Sequence, residues 1–224
     1  MSGIFREYFL KNADQNNINS ISYRLRNKRK EIFLEFISKF ERPVRILDLG
    51  GSGYFWKNLN LVNLDDLRIL LVNTEFQDVE KYSNIEFINK DVRDLSAYGD
   101  KEFDLVHSNS LIEHLGKKEE QKKLAEEIQR IGRHYFIQTP NYYFPVEPHF
   151  MFPFFQFLPL KSRAGLLMKH NLGWFEKKEN ISEAEELAKS IRLLKKSELK
   201  EFFSGAEIYS EKYFLFTKSF IVYN

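Results

Sequence analysis

The amino-acid sequence predicts an α/β fold: a seven-stranded, mostly parallel sheet with helices on both faces, an antiparallel last strand and a lid insertion after the fifth strand. Three observations carry this expectation. Between residues 44 and 141, short apolar runs alternate with helix-forming stretches, the pattern of parallel strands joined by crossover connections. The first run ends in an acid and a glycine-rich turn, Asp48-Leu49-Gly50-Gly51-Ser52-Gly53, placed where open parallel sheets bind ligands. At the C-terminus, Ala206 to Ser210 and Lys212 to Tyr223 read as two closing strands rich in β-forming residues.

Composition narrows the class. The chain has 224 residues, 43% hydrophobic and 29% charged, a globular balance that suits one α/β domain with an elaboration. Its net charge of +2 gives no concentrated basic excess for nucleic acid. Cysteine is absent, which excludes disulfides, a cysteine-based zinc site and a thiol nucleophile, and points to the cytoplasm. Met1 to Asn17 lacks the continuous apolar core of a secretory signal, and no run approaches the roughly 20 apolar residues of a membrane span. Aromatic residues make up 16% of the chain, 22 of them phenylalanine, and they cluster between Tyr142 and Phe157, a stretch that holds six of the phenylalanines.

The elements follow in order. Ser20 to Phe40 has a helical stripe, Ile21, Leu25, Ile32, Phe36 and Phe40, with Arg24 to Lys30 on or near the other faces; the basic side reads either as a solvated face or as a contact for phosphate or anionic lipid. Val44 to Leu47 is a buried strand, Phe55 to Asn58 a short helix start, and Arg68 to Val72 the second strand. Ile85 to Ile88, Phe103 to His107 and His134 to Gln138 are strands three to five, with a charged amphipathic helix from Lys117 to Ile131. Prolines 145, 148, 153 and 159 then interrupt the aromatic run, so no long regular element is expected there; Glu183 to Leu194 looks helical. Ser197 is the expected cap of a helix from Glu198 to Phe203, which Gly205 stops. The whole reads as one domain: an N-terminal helical segment (1–42), a core (43–141), an aromatic-rich lid (142–196) and a closing helix and hairpin (197–224).

Four successive stretches, Ile46 to Gly53, Asn73 to Glu75, Asp91-Val92 and Phe103 to Leu115, resemble the ordered motifs of class I S-adenosylmethionine-dependent methyltransferases, and more narrowly the small-molecule type 11 group. The resemblance covers about Val44 to Asn141 and implies a Rossmann-like sheet with S-adenosyl-L-methionine as cofactor. It places Asp48, Gly50 and Gly51 against the methionine part, with Ser52 beside them. Asn73 and Glu75 fall near the ribose, Asp91 and Val92 at the adenine, and Ser108 beside the sulfonium with Asn109 next to it. The sequence departs from the pattern twice: Tyr54 stands where a third glycine is usual, and Asn73 where an acid is expected directly after the second strand.

The residues themselves leave alternatives open. The glycine turn can be purely structural, and Glu75 can be a helix-start acid. Methyl transfer needs a base only when the acceptor must lose a proton, and the candidates are His149 in Glu147-Pro148-His149 and His114 in Glu113-His114-Leu115. Either histidine can instead serve its loop. His107 and His134 sit in strand patterns as core or edge residues. The aromatics of the insertion read as an acceptor pocket, a shallow peripheral membrane contact or a satellite core. No metal ligand set is expected. The functional expectation is O-methylation of a small or glycan-like metabolite by a monomer or homodimer. The rivals are a non-catalytic S-adenosylmethionine-binding scaffold and, disfavoured by the weakly basic insertion, a nucleic-acid methyltransferase.

Overall fold

In the computed structural model, residues 21–224 are described, with side chains from Tyr23 onward. The reading of Met1 to Asn17 and the proposed helix start at Ser20 lie outside the described residues. Helix α1 spans Ile21–Ile37 and is followed by β1 (Val44–Leu49), α2 (Gly53–Asn58), β2 (Leu67–Asn73), β3 (Ile85–Asn89) and β4 (Phe103–Asn109). A 3-10 turn (Ile112–Leu115) leads into α3 (Lys118–Ile131) and β5 (Gly132–Pro140). Next come a small hairpin, β6 (Val146–Glu147) and β7 (Phe152–Pro153), then α4 (Leu160–Lys169), α5 (Ile181–Ser190) and α6 (Lys196–Phe202). The chain closes with β8 (Glu207–Tyr213) and β9 (Phe216–Tyr223).

The main sheet has seven strands in the order β3-β2-β1-β4-β5-β9-β8. Strands β1 to β5 are mutually parallel, and β9 runs antiparallel to both β5 and β8. The last strand therefore lies inside the sheet and β8 forms its edge. Alternation along each strand feeds two cores. Leu47, Leu49, Tyr135 and Ile137 pack under α3 and α6, while Ile46, Leu71 and Phe136 pack with Phe33, Ile37 and Trp56 from α1 and α2. Among the described residues no helix is long and apolar enough to cross a membrane.

Several expectations change. Helix α1 ends at Ile37, and its inward stripe is Phe33 and Ile37, with Ile32, Phe36 and Phe40 only partly buried. The crossovers at 74–84 and 90–102 carry no helix; Val79, Val92 and Leu95 bury single side chains from loops. Ser197 lies inside α6, whose first turn is capped by the Glu198 carboxylate accepting from the Lys195 N–H at 2.9 Å.

The insertion is more regular than its prolines suggest. Helices α4 and α5 bring Ala164, Leu167, Ala184 and Ala188 together with Phe150 and Phe155 in a core separate from the two sheet cores. Helix α5 stops at Ser190 and does not continue to Leu194. Instead Arg192 N–H donates to the Glu113 carbonyl at 2.8 Å and Leu194 bridges Asn141, so this stretch is extended against the sheet's end.

Candidate functional site

The C-terminal ends of β1, β2 and β3 are stitched into one rim. Gly50 N–H donates to the Val72 carbonyl at 2.8 Å, and the Asn73 side-chain amide donates to the Gly51 carbonyl at 3.1 Å. Asn73 Oδ1 accepts from the Glu75 N–H at 3.0 Å, and Asn89 donates to the Thr74 carbonyl at 3.3 Å. Asn73 thus braces the rim with both ends of its side chain. Glu75 and Asp91 stand exposed beside it, with Asp91 accepting from the Arg93 N–H at 2.9 Å.

Two glycines in the turn answer to their protein neighbours. Gly50 has φ +72°, a conformation that side chains resist, and a Cβ there would come within 2.8 Å of Leu111. A Cβ at Gly51 would fall 1.7 Å from the Asp48 carboxylate. Asp48 is fully buried, accepting from Trp56 Nε1 at 2.8 Å and from His107 Nδ1 at 2.7 Å. Asp48 thus braces the turn from beneath through both carboxylate oxygens. Ser108 also points inward, its hydroxyl donating to the Leu49 carbonyl at 3.1 Å, and Val92 belongs to a sheet core.

A cavity of about 910 Å³ opens next to this rim, between α1, the start of α2, the ends of β4 and β5, and the β6 hairpin. Ser52 and Asn109 are the two expected cofactor residues that line it; Gly50, Gly51, Asn73, Glu75 and Asp91 belong to the neighbouring rim, while Asp48, Val92 and Ser108 are buried beneath. Ser110, at φ +55°, holds the cavity floor by donating from its hydroxyl to Gln138 Oε1 at 2.8 Å. A left-handed non-glycine residue after a strand stores strain that the surrounding bonds must hold, a frequent property of functional loops.

One wall of the cavity is cationic. Arg29 of α1 donates to Asn109 Oδ1 at 2.6 Å and forms a bidentate pair with the buried Glu211 at 3.1 and 2.8 Å. Lys218 lies alongside; burial, and then the charge of Arg29, push its amine down to about 8. The signal for this wall in the sequence is weak, because the basic run of α1 reads more readily as a solvated face.

Behind the other wall, to which it contributes His149 alone, lies a constellation of acids and histidines. Glu113 sits in the 3-10 turn after β4, fully buried, and accepts from the Thr139 hydroxyl at 2.9 Å. Gln121 fixes that turn by donating to the Ile112 carbonyl at 3.0 Å. His149, which lines the cavity, bonds through Nδ1 to Glu147 at 2.8 Å, and Glu147 is itself buried and accepts from the His149 and Phe150 N–H groups. The rings of His114 and His149 meet edge to face with centroids 4.7 Å apart.

Their protonation follows from this packing. Burial pushes the Glu113 carboxyl above its usual range, against the pull of His149. Burial opposes charge on His149, but the Glu147 hydrogen bond and then the Glu147 and Glu113 charges lift it above the ordinary imidazole value. His114, open to solvent on one side, is pushed down to about 4 by desolvation of the rest of its ring and by His149. Both histidines singled out in the sequence are therefore brought together. The carboxylates that organise them, Glu113 and Glu147, were visible as neighbours in sequence but carried no separate signal of burial.

Comparison with known proteins fits this geometry. A family model described as a methyltransferase domain matches residues 47–134. Uncharacterized proteins from two Mycobacterium tuberculosis strains are 34% identical over 73 residues, 33% of this chain and 24% of theirs. The matched stretch thus spans about a quarter of those relatives' length. Among solved structures, the Burkholderia thailandensis 1,6-didemethyltoxoflavin-N1-methyltransferase, with bound 1,6-didemethyltoxoflavin and S-adenosylhomocysteine, superposes with a TM-score of 0.54. It is 13% identical, over 99% of this chain and 86% of that one. A SAM-dependent methyltransferase from Aquifex aeolicus gives a TM-score of 0.50 at 13% identity, covering 87% of each chain. At these identities the likeness is one of fold alone: a Rossmann-like, mostly parallel seven-stranded sheet shared with these solved structures.

Proposed function

We propose that this chain is an S-adenosylmethionine-dependent methyltransferase that methylates an oxygen of a small or glycan-like acceptor. The observation that carries the reading is the adjacency of two unlike surfaces on one sheet edge. The rim over β1 to β3 offers a glycine turn and the exposed carboxylates of Glu75 and Asp91, groups of the kind an adenosyl moiety needs, and the cavity over β4 and β5 encloses space for an acceptor. In this reading Gly50 to Ser52 support the methionine part, Glu75 meets the ribose hydroxyls, and Asp91 accepts from the adenine amine. Asn109 lies where the methyl group crosses into the cavity.

The chemistry asked of the protein is modest. The acceptor oxygen attacks the sulfonium methyl in line, the carbon–sulfur bond breaks with its electron pair on sulfur, and S-adenosylhomocysteine leaves neutral. Alignment and exclusion of water supply most of the acceleration. A hydroxyl acceptor must also lose its proton, and the His149 group is the part of the cavity wall suited to manage it. A second reading, a binding protein without catalysis, is favoured by Asn73, which stands where an acid is usual and is engaged by the rim itself.

Two measurements separate the readings. Calorimetry should show saturable binding of S-adenosylhomocysteine, and labelled methyl from S-adenosylmethionine should pass to some member of a panel of hydroxylated metabolites. Binding without transfer to any class of acceptor supports the scaffold reading, and absence of binding removes both.

A further inference from the structure

We infer that Glu113, His114 and His149 form a site for one divalent transition-metal cation on the acceptor wall of the cavity. One ligand atom from each of the three, a carboxylate oxygen and two imidazole nitrogens, lies within 4.8 Å of the others. That is close enough for a single ion to be reached by all three with small side-chain adjustments.

The buried carboxylate is the strongest sign. Glu113 Oε2 accepts from Thr139, but Oε1 is buried with no hydrogen-bond partner among the described residues. A carboxylate oxygen held out of water without a partner is costly, and native structures seldom tolerate one without a compensating ligand. This same oxygen lies 3.9 Å from His149 Nε2. The gap is too long for a hydrogen bond, and a closure of about 0.5 Å would bring the two atoms to the separation of neighbouring tetrahedral ligands, each about 2.0–2.2 Å from one ion.

The surroundings of His149 point the same way. Its Nδ1 lies 2.8 Å from the Glu147 carboxylate, which accepts, so Nδ1 carries a proton; a cation arriving at Nε2 would displace the second proton and meet a lone pair directed toward Glu113. A carboxylate on the far nitrogen of a ligating histidine is the usual outer support of a metal site, fixing both tautomer and ring orientation. Glu147 is in turn held by the His149 and Phe150 N–H groups at 2.8 and 2.7 Å. Two imidazoles with one carboxylate suit zinc, manganese or iron(II) better than magnesium or calcium, which prefer all-oxygen shells.

The consequence rests on the methyltransferase reading; the binding itself does not. Because His149 lines the cavity, the open positions of the ion would face an acceptor hydroxyl. Coordination lowers the pKa of that hydroxyl, its proton passes to solvent, and the bound alkoxide takes the methyl group from sulfur. The ion would also fix which oxygen of the acceptor is methylated.

The test uses the whole chain, stripped with a chelator and titrated with Zn²⁺, Mn²⁺ and Mg²⁺ by calorimetry without cofactor or acceptor. One equivalent of Zn²⁺ or Mn²⁺ should bind, at least tenfold more weakly after His114→Ala or Glu113→Gln. Co²⁺ should give a visible absorption band that both substitutions remove. His114 is exposed, so its substitution leaves the fold intact even if Glu113→Gln does not. Absence of transition-metal binding, or binding and spectrum unchanged in His114→Ala, overturns the site. If the ion binds and S-adenosylhomocysteine does not, the methyltransferase reading fails while the metal site stands.

Discussion

The two halves of the sheet edge solve different problems. Over β1 to β3 the rim is shallow, its exposed carboxylates are Glu75 and Asp91, and its shape is held from below by Asp48 and from the side by Asn73. Over β4 and β5 the edge is walled in by α1 on one side and by the insertion on the other, and its polar groups are buried and coupled. A surface of the first kind can be built from short loops with glycine. The second kind needs an additional core, which α4, α5, Phe150 and Phe155 provide. The difference teaches that carboxylates from two motifs of one resemblance can stand at different depths: Asp48 supports the rim on which Asp91 is exposed.

The largest effect should come from that support. Asp48→Ala leaves the Trp56 indole N–H and the His107 ring without their shared partner, and should lower stability by about 3 kcal/mol or more in a urea titration. A loss below about 1 kcal/mol would show that the carboxylate is not the brace described. On the exposed half, Asp91→Ala should leave the urea midpoint unchanged and weaken S-adenosylhomocysteine by about 1–3 kcal/mol, a factor on the order of 5 to 150. Unchanged affinity there breaks the division between support and ligand contact. The smallest effect belongs to the outer face of the insertion. Phe154 is 56% exposed, so Phe154→Ser should move stability by no more than about 0.5 kcal/mol. A larger loss would place it in the satellite core beside Phe155.

Legibility in sequence followed the same division. The parallel strands, the glycine turn and the closing hairpin were readable because buried strands are short apolar runs and turns need particular residues. The inward face of α1 was misplaced because Phe33 and Ile37 compete with Ile32, Phe36 and Phe40 for the core, and aromatic residues occur on both phases. Helix α4 was hidden by the prolines around it, although Pro159 precedes its first turn, where proline is tolerated. At the site, spacing revealed which loops share an edge. It could not show that Asp48, Ser108 and Val92 turn inward, since that depends on partners such as His107 and Leu49 brought from other strands. Nor could it show that Glu113 meets His149, because that approach joins the turn after β4 to the stretch after β5.

The central claim is that the β1 to β3 rim takes an adenosyl cofactor while the enclosed half is reserved for the acceptor. Backbone hydrogen exchange with and without S-adenosylhomocysteine tests it directly. The account predicts slower exchange at residues 50–55, 73–77 and 90–93, with little change at 144–151. Protection confined to 144–151 and the insertion helices, or no protection anywhere at saturating ligand, would contradict it.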